Sequence, residues 1–146
     1  QMLASERGRW TAAWKMEMPG MPAMTADCVE TVEAVCGGAW NWTTFRGPLM
    51  GGPFEGHALT GVDPETGRVT SFWVDSWTAP YMRTEGTFDA KANVFTLTGQ
   101  AYNGEGKLDP VKSVGTVVDK DSRTLEMHFG QGAGKSVMTI RYSRKR

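Results

Sequence analysis

Polar and apolar residues alternate along most of this chain with a period of two. Val94-Phe95-Thr96-Leu97-Thr98 and Val137-Met138-Thr139-Ile140-Arg141-Tyr142 show it most plainly, and both are rich in the β-branched and aromatic residues that suit a pleated, half-buried surface. Segments 10–18, 24–35, 40–45, 54–62, 69–77, 81–88, 111–118 and 124–129 read the same way. Between them lies turn chemistry: Gly37-Gly38, Gly51-Gly52-Pro53, residues 63–67, 89–93, Asn103-Gly104, 119–122 and 130–134 supply Gly, Pro, Asn and Asp. No segment carries a 3.6-residue apolar stripe over three turns, so little helix is expected.

About ten short strands joined by tight turns predict an all-β, antiparallel up-and-down meander. Such a meander removes its unpaired edges by closing into a barrel, with a β-sandwich as the alternative. The pattern assigns residues 1–146 to one barrel domain and leaves 1–8 as an irregular N-terminal segment.

Several blocks together resemble a known family. They are Pro53-Phe54-Glu55-Gly56, Gly61-Val62-Asp63, Thr66-Gly67, Trp73-Val74-Asp75-Ser76, Glu85-Gly86-Thr87-Phe88-Asp89 and the ending from Val137 to Lys145. In order and spacing they are similar to an uncharacterised bacterial domain of unknown function. That family is grouped with the calycin-like barrels, which include lipocalins, fatty-acid-binding proteins and nitrobindins. The resemblance spans residues 10–145 and implies a barrel with an internal cavity, but no reaction. A nitrobindin-like haem site would want a histidine on the last strand, and 137–142 has none, so the resemblance implies no haem.

Charge narrows the partners. Lys and Arg total 16, as do Asp and Glu, so the formal net charge is zero. A nucleic-acid binder needs a basic face that releases phosphate counterions, and this balance argues against one. Arg144-Lys145-Arg146 is too short a run to act as a polyanion-binding tail. No apolar stretch approaches the roughly 20 residues of a membrane span. The chain opens at Gln1, where a cleaved leader would leave no trace, so no compartment is read from it.

Gly134-Lys135-Ser136 has the look of a phosphate-binding loop, but the glycine required five residues earlier is Phe129, and the segment that follows alternates as a strand. It reads as a glycine-rich hairpin turn. Cys28 and Cys36, on one extended strand at about 3.3 Å per residue, would stand about 26 Å apart, well beyond disulfide reach. They are expected to be free thiols. Zinc lacks a Cys-x-x-Cys pair or clustered histidines. Met16, Met18, Met21 and Met24 are soft ligands of the kind that hold copper(I), but they read better as a gap-filling loop over the barrel rim. Neither a metal nor a cofactor is expected.

Candidate chemistry concentrates in 69–77. Ser71, Trp73, Asp75 and Trp77 share one face, with Phe72 and Val74 on the other. A carboxylate between two tryptophans is either a ligand contact or part of an internal hydrogen-bond network, and the face is expected to point inward. Glu85, on the next strand, is a second carboxylate in position to pair across. His57 sits mid-strand between small residues, while His128 alternates away from Leu125, Met127 and Phe129, toward solvent with Glu126.

Three function classes follow. The first is a barrel holding a small apolar or aromatic molecule against Trp73, Trp77, Phe45 and Tyr142, with Asp75 and His57 as polar fixings. The second is a cofactor-independent isomerase, cyclase or lyase using Asp75, Glu85 or His57 as acid or base in the same cavity. The third is an assembly module or homodimer pairing through Trp40 and Trp42, which share a face that lies either inside or outside.

Overall fold

The computed structural model describes residues 2–78 and 81–146. A short helix, α1 (Met2–Glu6), precedes ten strands: β1 (Gly8–Glu17), β2 (Met24–Val35), β3 (Trp40–Leu49), β4 (Gly52–Val62), β5 (Arg68–Asp75), β6 (Met82–Asp89), β7 (Val94–Tyr102), β8 (Leu108–Asp119), β9 (Ser122–Phe129) and β10 (Ser136–Arg144). Every strand pairs antiparallel with its neighbours in sequence, and β1 pairs with β10 to close the barrel. The up-and-down barrel is therefore present as the alternation predicts.

Aspartate and asparagine stop the strands. The Oδ1 atoms of Asp63, Asp89, Asn103 and Asp119 each accept a hydrogen bond from the backbone N–H two residues on, at 2.7–2.9 Å. This Asx geometry turns the chain as soon as the ladder ends. Three of these turns, at Asp63, Asp89 and Asp119, lie at the same end of the barrel as α1.

Odd–even alternation sets inside from outside. On β1, Trp10, Ala12 and Trp14 are buried between exposed neighbours, and on β10 Ile140 and Tyr142 face them. These residues join Cys28, Val32, Phe45, Leu49 and Phe54 in the main core cluster. A smaller cluster of Met2, Val69 and Leu97 lies against α1.

Residues 2–6 are helical where an irregular segment was expected. Five residues are too few to show helical periodicity or to hold a helix alone, and tertiary bonds fix this one. Asn41 Nδ2 donates to the Leu3 carbonyl at 2.8 Å, Trp10 Nε1 donates to the Glu6 carbonyl at 2.8 Å, and Arg144 Nη1 donates to the Arg7 carbonyl at 2.7 Å. Met2 is buried in the barrel end, so α1 acts as its plug.

The segment after β9 is a hairpin connection with a 3-10 turn over Gly132–Gly134, followed directly by β10. That is the geometry expected of a glycine-rich turn. Cys28 is buried within β2, whereas Cys36 is exposed beyond the strand's end, and both are free. Burial, with a smaller push from Asp27, raises the Cys28 thiol to about 11, which leaves it an inert part of the core.

Candidate functional site

Ten strands make a wider barrel than eight, and side chains pointing inward no longer fill it. Here they leave a cavity of about 380 Å³ along the lumen. Its walls are mainly apolar and aromatic, its floor is charged, and its mouth lies at the end opposite α1.

The aromatic wall is built across β3, β4 and β5. Phe45 meets Phe54 edge-on at 6.1 Å, Phe54 stacks on Trp73 at 6.3 Å, and Trp77 meets Phe54 edge-on at 4.7 Å. Gly56 makes this possible, because any Cβ there would occupy the Trp73 ring. The opposite wall is softer. Met16, Met138 and Met127, successive cross-strand partners on β1, β10 and β9, all line it. Their flexible thioethers adapt to whatever packs against them.

The structure divides the sequence-derived candidates into two groups. Phe45, Trp73, Asp75, Trp77 and Tyr142 all line the cavity, and the Trp73–Asp75 face points inward as expected. Strand β5 ends at Asp75 instead of Trp77, because the Asp75 carboxylate organises the turn. Its Oδ2 accepts from Trp73 Nε1 at 2.7 Å, while Oδ1 accepts from the backbone N–H groups of Trp77 and Thr78 at 2.8 Å. Asp75 thus fixes both tryptophans at the mouth.

His57 and Glu85 are corrections. His57 lies on the outer surface, stacked on Trp42 at 5.0 Å, with Nε2 2.7 Å from Glu55 Oε1 and Nδ1 3.2 Å from Thr44 Oγ1. The inward positions of β4 are Phe54, Gly56, Ala58 and Thr60, and His57 falls between them. Glu85 is also outside, paired with Arg83 at 3.0 Å and Arg68 at 3.6 Å. An acid–base set of Asp75, Glu85 and His57 is therefore not assembled, since only Asp75 reaches the lumen. Trp40 and Trp42 share the outer face, where Trp42, Leu59 and Phe72 are successive cross-strand partners. His128 faces outward on Glu126, as its alternation implies.

Replacing Asp75 by Asn tests the turn. An amide offers one acceptor, so either the Trp73 indole N–H or the two backbone N–H groups would meet an NH₂. We expect Asp75→Asn to fold, to lose about 1–3 kcal/mol and to broaden tryptophan emission as Trp73 loosens. Unchanged stability and emission would show that the network does not hold the mouth.

The floor was not foreseen. Glu6 from α1, Glu30 from β2, Arg123 from β9 and Tyr142 from β10 all face the lumen. Arg123 Nη2 donates to Glu30 Oε1, Nη1 lies 3.6 Å from Glu6 Oε1, and the guanidinium sits 3.9 Å from the Tyr142 ring centroid and 4.6 Å from that of Trp10. Burial works against the Arg123 charge, but Glu30 and Glu6 outweigh it and hold the guanidinium protonated. Burial pushes the Glu6 carboxyl up, Arg123 draws it part of the way back, and Glu30 raises it again. Burial, then Glu30, holds the Tyr142 phenol well above its usual range.

A protein family described as "Protein of unknown function (DUF1579)" matches residues 1–144. The chain belongs to the DUF1579 family. Two solved structures share the DUF1579 barrel seen here. Rv2717c from M. tuberculosis superposes with a TM-score of 0.75 at 14% identity, covering 99% of this chain and 95% of its own. The S-type phycobiliprotein lyase CPES from Guillardia theta gives 0.68 at 8% identity, covering 99% and 90%. At these identities the likeness is one of fold. No curated protein matches the sequence. Among the described residues no group of three or more His, Cys, Asp or Glu is placed to hold a metal ion, and no helix is long and apolar enough to cross a membrane.

Proposed function

We propose that this DUF1579 protein binds a small molecule with an apolar or aromatic body inside the barrel. One observation carries the reading: a cavity of about 380 Å³, walled by Phe45, Phe54, Trp73 and the methionine row, with a few Ser and Thr hydroxyls among them and its charged groups at the two ends. Binding sites for small molecules have this size and this division of labour, with apolar area supplying affinity and placed polar groups supplying orientation. The mouth, ringed by Trp77 and Tyr81, would admit the ligand, and Asp75 would keep Trp73 flat against it. A barrel of the same fold serves the S-type phycobiliprotein lyase, so the architecture accommodates a chemistry of its own in at least one relative by shape.

Titration with the uncharged fluorophore N-phenyl-1-naphthylamine tests the reading. Its emission should rise and saturate at one site per chain, with a Kd of about 1–10 μM, equivalent to roughly 7–8 kcal/mol, while lumenal tryptophan emission is quenched in step. Absence of saturable binding would sink it.

A further inference from the structure

The floor of the lumen holds more acids than bases. Glu6 and Glu30 face a single cation, Arg123, with the Tyr142 phenol beside them. Arg123 donates from Nη2 to Glu30 and lies over the rings of Tyr142 and Trp10, its Nε buried without a hydrogen-bond partner, and Glu6 stands 3.6 Å from its Nη1, beyond hydrogen-bonding distance. Of the other nearby cations, Arg144 lies 4.2 Å from the Trp10 centroid and donates to the carbonyls of Arg7 and Ser5, while Arg7 donates to Asn41 Oδ1 and the Gly38 carbonyl. Glu6 therefore shares its one cation with Glu30, which holds it more closely, while the Glu6 side chain remains 13% exposed, more than Glu30 at 6% or Arg123 at 9%. It is the floor acid that a ligand can reach.

We propose that this floor is a subsite for the basic end of the ligand, an amine carried on an apolar body, with the Glu6 carboxylate as its counter-ion. The proposal rests on the lumen being a binding site and adds the chemical class of what it holds. With an ammonium group at Glu6, the buried charges of Glu6, Glu30, Arg123 and the ligand sum to zero. A carboxylate or phosphate in the same place would leave Glu30, Arg123 and a new anion beside Glu6, a buried excess of negative charge that nothing there offsets. A hydroxyl would gain one hydrogen bond and no charge pairing. The aromatic wall above suits a cation as well.

Burial raises the Glu6 carboxyl against the opposing pull of Arg123, and a cation beside it favours its ionised form. An alkylammonium ion entering from water brings its own proton and forms an N–H···O⁻ ion pair with Glu6, with no covalent bond made and nothing oxidised or reduced.

Decylamine, 1-decanol and decanoate, titrated below their aggregation limits against the full chain at pH 7, separate the possibilities. Calorimetry reads the affinity of each. Decylamine should bind at least about tenfold tighter than decanol, with decanoate weakest. Glu6→Gln should bring decylamine down to the affinity of decanol, leaving decanol unchanged. Decanoate binding as tightly as decylamine, or decylamine binding no tighter than decanol, would overturn the floor assignment while leaving the lumen reading intact. Failure of all three probes to bind would overturn both.

Discussion

Arg123→Ala should destabilise the protein by about 3–5 kcal/mol, the usual consequence of stranding a buried charge. For a chain of this length that corresponds to a fall in Tm of roughly 10 °C. Removing the guanidinium leaves Glu30, itself 5% exposed, with no cation, and also takes away the pull that Arg123 exerts on Glu6. The stacking partners Tyr142 and Trp10 lose a neighbour at the same time. The loss should depend on pH in a definite direction. Burial holds the Glu6 carboxyl above its unfolded value, and in the variant Arg123 no longer draws it back, so its protonated form fits the fold better than its ionised form. That contribution is fully retained below about pH 4.5, the ordinary Glu value, and drains away as pH rises through the folded value. Urea denaturation at pH 4.5 and pH 7 should show the deficit against wild type growing with pH. The pair Glu30→Gln with Arg123→Met should recover most of it, because neither half then needs a partner. A deficit below about 1 kcal/mol at pH 7 would show that water reaches the floor and that the cluster is not the buried anchor described here.

The barrel was legible because its signals are local. Period-two patterning in 94–98 and 137–142 and the Asp and Asn turns between strands need no knowledge of distant contacts, and the strand count favoured a closed barrel over a sandwich. The inward face of Trp73 and Asp75 was legible for the same reason. Alternation also correctly places Trp40 and Trp42 together, but it cannot tell inside from outside when both faces of a strand carry large apolar residues, as β3 does with Phe45 on one and Trp42 on the other.

His57 illustrates how local reading fails. Small neighbours suggested room for its ring in a cavity, yet the phase of β4 is set by Phe54, Ala58 and Thr60, and His57 is one step out of it. Applied strictly, alternation would have excluded His57, and it would have found the floor. Arg123 is in phase with Leu125, Met127 and Phe129, and Glu30 is in phase with Cys28 and Val32, so each is a charge at an inward position. A charge in an apolar register announces a buried partner. What no local pattern shows is that the two meet, because they are 93 residues apart and join only when β10 closes on β1. Glu6 was hidden further, on a helix too short to register.

Ala58→Trp should abolish ligand binding without unfolding the barrel. Ala58 points into the lumen midway along β4, between Gly56 and Thr60, with Thr43 and Trp73 as its cross-strand partners. A large side chain in a filled core forces strain of about 1–3 kcal/mol. Here it has about 380 Å³ of open lumen to enter, so its apolar surface is buried without displacing neighbours. Stability should hold within about 1 kcal/mol of wild type. The indole would then occupy the space between the aromatic wall and the methionine row, where the body of the ligand belongs. Affinity for N-phenyl-1-naphthylamine should fall by at least about 100-fold, some 2.7 kcal/mol, while far-ultraviolet circular dichroism stays that of a β-barrel. A surface control, Thr98→Trp on the outer face of β7, should change neither. If Ala58→Trp folds and binds the probe as wild type does, the ligand is held somewhere other than the lumen, and the aromatic wall of Phe45, Phe54 and Trp73 serves only to hold the barrel together.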